Sequence, residues 1–307
     1  MAMKKSPDKI LGALLGVAVG DALGAPLEFM SAEEIRAKHG TVREMIGGGW
    51  LNVMPGEITD DTQMTLSVAE GIVENPQDPI PGIGRRFVEW YDSRPKDIGV
   101  TCRSAIAYAK ANGAQDENGW HEAARRVHAD TNGMTAGNGA LMRTIYPALW
   151  YGRKSARIAA AAIGRMTHWH DDSTLSVIAY TEAVADIIGA DKIPDAGIGW
   201  SKERIEYRMR RVRELAPDNE RPRPDGYVLN SLVCAINAIR DTSSFEGALI
   251  QAVNLGGDAD TIGAITGGLA GALYGARTIP QRWTDALDKD TRNRLERCAD
   301  KACKSEY

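Results

Sequence analysis

The sequence predicts an all-α fold, a single compact multi-helix domain over residues 1–307. Three observations carry that expectation. Apolar residues recur at helical spacing in run after run, among them LSVAEGIVENP (66–76), STLSVIAYTEAVADIIGA (173–190) and YVLNSLVCAINAIRD (227–241). Clusters of Gly, Pro, Asn and Asp separate the runs, and no stretch alternates convincingly as a half-buried strand would. Glycines also recur every fourth residue in two places, at 12, 16, 20 and 24 and at 263, 267, 271 and 275, which puts each set on one stripe of a helix.

The first helix begins with Ser6 as its cap and Pro7 in its first turn. Glycine costs about 1 kcal/mol per helical position relative to alanine, so a stripe of four needs a return, and close approach of another backbone supplies one. EITDDTQM (57–64) opens the next strong helix. GIGRRFVEWYDS (82–93), TCRSAIAYAKANG (101–113), GWHEAARRVHAD (119–130) and SARIAAAAIGRM (155–166) follow at the same period. Residues 201–226, dense in charge and ending in prolines, read as a solvated helix and an exposed loop. The second glycine stripe comes directly after VNLGGDADTIG (253–263).

Composition excludes several classes of function. With 37 Lys and Arg against 41 Asp and Glu, the net charge of −4 offers nothing to draw the chain onto nucleic acid or an anionic membrane. Cys102, Cys234, Cys298 and Cys303 form no close pair, which suits reduced thiols and a cytoplasmic location rather than a disulfide framework or zinc ribbon. The N-terminus has two lysines and then an apolar stretch, like a signal peptide, but Asp21 and four glycines interrupt it. It is expected to be too short and too broken to span a membrane. A monomer is expected.

Two clusters carry the chemistry. Thr59, Asp60 and Asp61, with Asp258, Asp260 and Thr261, supply four carboxylates and two hydroxyls from helix starts. Such oxygen-only sets suit hard divalent cations, Mg²⁺ or Mn²⁺. Asp and Thr are also preferred helix caps, so either cluster alone would be explained as a cap. Four acids exceed what two caps need, and their mutual repulsion favours one binuclear site, with cations about 3.5 to 4 Å apart. Gly137, Asn138 and Gly139 form an exposed-amide turn that feeds a helix, a cradle for a diphosphate. His168 and His170 have the two-residue spacing of zinc ligands, yet no third nitrogen or sulfur ligand lies near, and Asp171, Asp172 and Ser173 read as caps of the following helix.

GALLGVAVGDALGAPLEFM, PGEITDDTQM, AGNGALMR, THWH and NLGGDADTIGAITGGLAGALYG, in this order and over nearly the whole chain, resemble the ADP-ribosylglycohydrolases. GGGWL (47–51) and SRPKDIGVTC (93–102) resemble the nitrogenase-regulating subgroup, which removes ADP-ribose from an arginine of a target protein. The resemblance implies an all-α fold and two divalent cations, Mn²⁺ or Mg²⁺, held by Thr59, Asp60, Asp61, Asp258, Asp260 and Thr261, with Glu28 as a neighbouring acid. It also implies that Asp97 contacts the substrate, that Gly137 to Gly139 lie at the ADP-ribose and that His168 lines the cleft. Tyr227 is a candidate to stack on adenine, or else packs on the core. Trp50 borders the mouth, or else anchors a loop.

The implied reaction suits this equipment. Cleavage of the bond between ribose and a guanidinium nitrogen develops oxocarbenium-like charge, which carboxylates such as Asp60, Asp260 and Glu28 can stabilise. Asp97 can hold the guanidinium in the bidentate manner for which that group is shaped. The expected partner is a protein ADP-ribosylated on arginine, with free ADP-ribose as product, and the target is either nitrogenase reductase or a toxin-modified protein. Residues 113–135 exceed the subgroup's pattern in length, so the resemblance does not specify the target. Competing readings are action on serine-linked, polymeric or O-acetylated ADP-ribose, and a catalytically silent relative, against which the complete ligand set speaks.

Overall fold

The structure, a computed structural model, describes residues 6–190, 197–218 and 220–305; Lys4 and Lys5 of the signal-like start lie outside the described residues, as does Asn219. Among the described residues fifteen α-helices follow one another: α1 Pro7–Gly24, α2 Ala32–His39, α3 Asp60–Glu74, α4 Ile80–Asp92, α5 Val100–Ala111, α6 Glu117–Asp130, α7 Tyr146–Trp150, α8 Arg153–Gly164, α9 Asp171–Gly189, α10 Ile198–Leu215, α11 Val228–Asp241, α12 Phe245–Val253, α13 Ala259–Tyr274, α14 Gln281–Ala286 and α15 Lys289–Cys303. Among the described residues there is no strand, only three isolated bridges, Ser31 to Gly256, Gly48 to Val53 and Gly137 to Tyr227. The all-α expectation therefore holds.

The two glycine stripes meet each other. A β-carbon on Gly12, Gly16 or Gly20 would run into the carbonyl of Gly271, Gly267 or Gly263 respectively, and one on Gly24 into that of Ala259. α1 and α13 thus lie antiparallel with their backbones in contact. Gly275 departs from the expected stripe: it is the residue that ends α13, with φ of 88°, where glycine alone is comfortable. This pairing puts the C-terminal end of α1 against the N-terminal end of α13, so Asp21 and Glu28 come to the start of the second acidic cluster.

One expectation about α1 is corrected. The stretch Pro7–Leu27 is, at 21 residues, long and apolar enough to cross a membrane by length and composition. Its glycines and Asp21 do not interrupt the helix, because α13 covers the former and hydrogen bonds satisfy the latter. In this fold 94% of its most apolar window is buried.

Around this pair one buried apolar cluster draws residues from all fifteen helices, from Ile10 on α1 to Leu295 on α15. α10 is less solvated than its composition suggests. Ile205, Met209 and Val212 are buried, while Arg204 and Arg208 on its polar side reach Asp186 of α9 at 3.1 and 2.8 Å. The expected caps of α9 shift by one residue: His170 is the cap, its Nδ1 accepting the Asp172 N–H at 3.1 Å, and Asp171 and Asp172 lie in the first turn. No disulfide joins the four cysteines.

Candidate active site

The N-termini of α3 and α13 bring the two acidic clusters together. Neither Thr59 nor Asp258, the residues at the two cap positions, makes a side-chain cap bond. Asp21 caps α3 instead. It accepts the Thr59 N–H at 3.0 Å, the Thr59 hydroxyl at 2.7 Å and the Thr62 N–H at 3.1 Å. Capping is thereby done from α1, and Asp60 and Asp61 are left over for another purpose. The Thr59 and Thr261 hydroxyls approach the same oxygen, Asp61 Oδ2, at 3.3 and 3.4 Å, which links residues 200 positions apart in the chain. Glu28, Asp258 and Asp260 present carboxylate oxygens within 4.8 Å of one another.

A cleft of about 540 Å³ opens over these groups. Glu28, Asp60, Asp97, Asp258 and Asp260 line it, together with Trp50, Gly137, Asn138, Gly139, His168 and Thr261. Thr59 and Asp61 sit behind the lining. Tyr227 is not among the lining residues: its hydroxyl donates to Asp172 Oδ2 at 2.8 Å, and its backbone pairs with Gly137. Trp50 borders the mouth, and its indole N–H donates to Glu28 Oε2 at 2.6 Å.

The diphosphate cradle is less open than its sequence suggests. The turn feeds only a three-residue 3₁₀ segment, Asn138–Ala140, and Asn138 is buried. Its N–H is bonded to the Gly226 carbonyl at 3.0 Å, and its side-chain amide donates to Asp258 at 2.7 Å and to Ser231 at 2.9 Å. Asn138 is therefore a brace for Asp258. Gly137 and Gly139 keep the approach clear, since a β-carbon on either would press on His168 at 3.2 or 3.1 Å.

Electrostatics sets this site apart from an ordinary polar cleft. Burial, then the negative charge of neighbouring acids, holds the carboxyls of Asp60, Asp61 and Asp260 well above the usual carboxylate range. Burial likewise pushes Glu28 up to about 8, against the opposing hydrogen bond from Trp50, and raises Asp97. Asp21 is pushed up to about 6 by burial, with the Thr62 and Thr59 bonds pulling the other way. Among the described residues none of Glu28, Asp60, Asp61, Asp258 and Asp260 forms an ion pair with Lys or Arg. Asp61 Oδ1 is buried without any hydrogen-bond partner. An unpartnered carboxylate oxygen amid converging acids is what a cation would satisfy, so the residues present fit a hard divalent metal.

Two groups escaped sequence reasoning. Asp21 was visible only as an acid inside an apolar helix, a signal that could have marked it as partnered. Pro224, Asp225 and Gly226, read as part of an exposed loop, line the cleft, and the Pro224 carbonyl accepts the Asp258 N–H at 2.8 Å. His168 and His170 do not converge as zinc ligands, since His168 Nδ1 pairs with Thr167 and His170 caps α9.

Known proteins resemble this chain along nearly its whole length. The sequence profile of the ADP-ribosylglycohydrolase family matches residues 3–307. The ADP-ribosyl-[dinitrogen reductase] glycohydrolase of Rhodospirillum rubrum is 35% identical, covering 95% of this chain and 95% of that protein. The ADP-ribosylarginine hydrolase Tri1 of Serratia proteamaculans is 32% identical, covering 94% of this chain and 77% of that protein. A solved structure described as an ADP-ribosylglycohydrolase-related protein complex superposes with a TM-score of 0.79 at 31% identity, covering 98% of this chain and 99% of the other.

Proposed function

The chain belongs to the ADP-ribosylglycohydrolase family, and from that premise we propose that it hydrolyses the N-glycosidic bond between ADP-ribose and an arginine of a target protein, using two divalent cations, Mn²⁺ or Mg²⁺. One observation carries the reading: five acidic side chains, Glu28, Asp60, Asp97, Asp258 and Asp260, line one cleft, and among the described residues no Lys or Arg is ion-paired with Glu28 or the helix-start acids. The names of the relatives from R. rubrum and S. proteamaculans support arginine as the linkage.

Thr59, Asp60, Asp61, Asp258, Asp260 and Thr261 would hold the cations, with Glu28 beside them. When bound, the cations supply Lewis acidity toward the ribose hydroxyls and the attacking water. The chain's own side chains do the rest. Asp97 holds the departing guanidinium in bidentate fashion and keeps the reacting bond in register. Asp60, Asp260 and Glu28 supply negative charge beside the sugar as positive charge develops on it. Trp50 fixes Glu28 through its indole N–H and covers the mouth. The Gly137 to Gly139 turn and His168 receive the diphosphate, and the wall at 224–226 closes that end.

The test is release of ADP-ribose, followed by mass, from a protein modified on arginine, using enzyme stripped of metal and then resupplied with Mn²⁺ or Mg²⁺. A serine-linked conjugate runs in parallel. Release from arginine that depends on added metal is the expected result. Release from serine alone, or equal release by the stripped protein, overturns it.

A further inference from the structure

Arg143 is fully buried, and among the described residues its guanidinium has no carboxylate partner. Its Nη1 donates to the Gly139 carbonyl at 2.6 Å, and its Nη2 donates to Thr167 Oγ1 at 2.7 Å. The same Thr167 oxygen lies 2.7 Å from His168 Nδ1. A guanidinium can only donate, so at Thr167 the oxygen accepts from Arg143 and its own proton must go elsewhere. The Cys102 thiol is also in reach of that hydroxyl, but sulfur is a weak acceptor beside an imidazole nitrogen. The proton therefore points to His168 Nδ1. Nε2 of the same ring, which has no partner among the described residues, is left facing the cleft next to Gly137 and Gly139.

We propose that Arg143, acting through Thr167, is a positioning residue that holds His168 in the tautomer with its proton on Nε2, making the ring a hydrogen-bond donor to an anionic ligand at the Gly137 to Gly139 turn. Burial, followed by the charge of Arg143, lowers the His168 pKa to about 3, so the ring is neutral and its tautomer decides what it can bind. The buried Arg143 cation acts in the same direction. A positive charge beneath the turn, unpaired within the protein, favours a diphosphate above it and offsets the acids across the cleft. The identity of the anion rests on the reading of the cleft as an ADP-ribose site; the tautomer does not.

Two measurements test this on Mg²⁺-loaded full-length protein. Long-range ¹H–¹⁵N correlation of the histidine rings reports the tautomer, with His168 assigned by its loss in His168→Gln. Wild type and Thr167→Ser should show the proton on Nε2, and Thr167→Val should lose that preference. Calorimetry with ADP-ribose should show affinity weakened about tenfold in Thr167→Val and close to wild type in Thr167→Ser, the loss of one hydrogen bond to a charged group. A wild-type ring protonated on Nδ1, or undiminished affinity in a folded Thr167→Val, overturns the proposal. Should wild type carry the Nε2 proton yet bind no ADP-ribose, the reading of the cleft falls and the relay from Arg143 stands.

Discussion

Asp61 is fully buried, its Oδ1 touches no donor, and Asp60 beside it faces the same surplus of negative charge. Replacing Asp60 or Asp260 by Asn keeps the shape and removes one charge. Neither residue sits at the cap position of its helix, and the bond that Asp260 makes there, its Oδ1 accepting the Thr261 N–H at 2.8 Å, needs an oxygen that Asn also supplies, so the fold has no need of that charge. Turnover should fall by orders of magnitude, while metal-free melting should hold or rise as repulsion is relieved. The double variant should be scarcely worse than either single one, since both disable one centre; normal hydrolysis by Asp60→Asn at ordinary metal concentrations would remove the binuclear reading. Glu28 gives a second test, in pH. Its carboxyl is pushed from 4.5 up to about 8 in the folded protein, so between those values the folded state binds more protons than the unfolded chain and stability falls as pH rises. Metal-free protein should therefore melt lower near about pH 8 than near about pH 5, and saturating Mg²⁺ should flatten that slope, as calorimetric scans at the two pH values would show.

At the scale of elements, the contact of α1 with α13 decides where everything else sits. A side chain at Gly267 would meet the Gly16 backbone carbonyl, which cannot swing aside as a flexible side chain could. Gly267→Leu should cost about 1 to 3 kcal/mol or more in urea unfolding. Gly189, at the last turn of α9, has open space around its missing β-carbon, and Gly189→Ala should instead be neutral or stabilise by up to about 1 kcal/mol. The contrast separates crowding from the general preference of helices for alanine. Both glycine stripes were legible in the sequence because a period of four is a local property. That they pack on each other was not, since nothing in either period names its partner. The same limit governs the site. The helix-start acids stood out because they break apolar runs, and the resemblance added Glu28, Asp97 and His168. The cap that Asp21 provides reaches 41 residues along the chain to Thr62. Arg143 reads as a surface arginine until its neighbours are known, and the cleft wall at 224–226 is hidden by a proline-rich, charged composition that ordinarily marks solvent.

On the scale of the whole molecule, the question is how far the fold depends on the metal proposed for its acidic cleft. In a small metal-dependent domain the cation supplies the folding free energy, and a chelator unfolds the chain. Here the apolar cluster draws on all fifteen helices, and α1 and α13 hold the two acidic helix starts in place through backbone contact rather than through a ligand. The site is thus pre-formed, and burial holds Glu28, Asp60, Asp61 and Asp260 above the usual carboxylate range when no cation neutralises them. We therefore expect the chelated protein to keep its full far-ultraviolet helical signal and, as one folding unit, to melt in a single transition, while its hydrolase activity is abolished. Returning the cations should restore activity and raise stability by about 2.7 kcal/mol for each site at a concentration one hundred times its dissociation constant, because they bind the folded state alone. In Asp260→Asn that increment should shrink with the loss of affinity, so the stabilisation and the activity should decline together across a titration of Mn²⁺. Loss of helical signal on chelation would mean that the acidic clusters, and not the glycine-packed pair of helices, hold the centre of the molecule together.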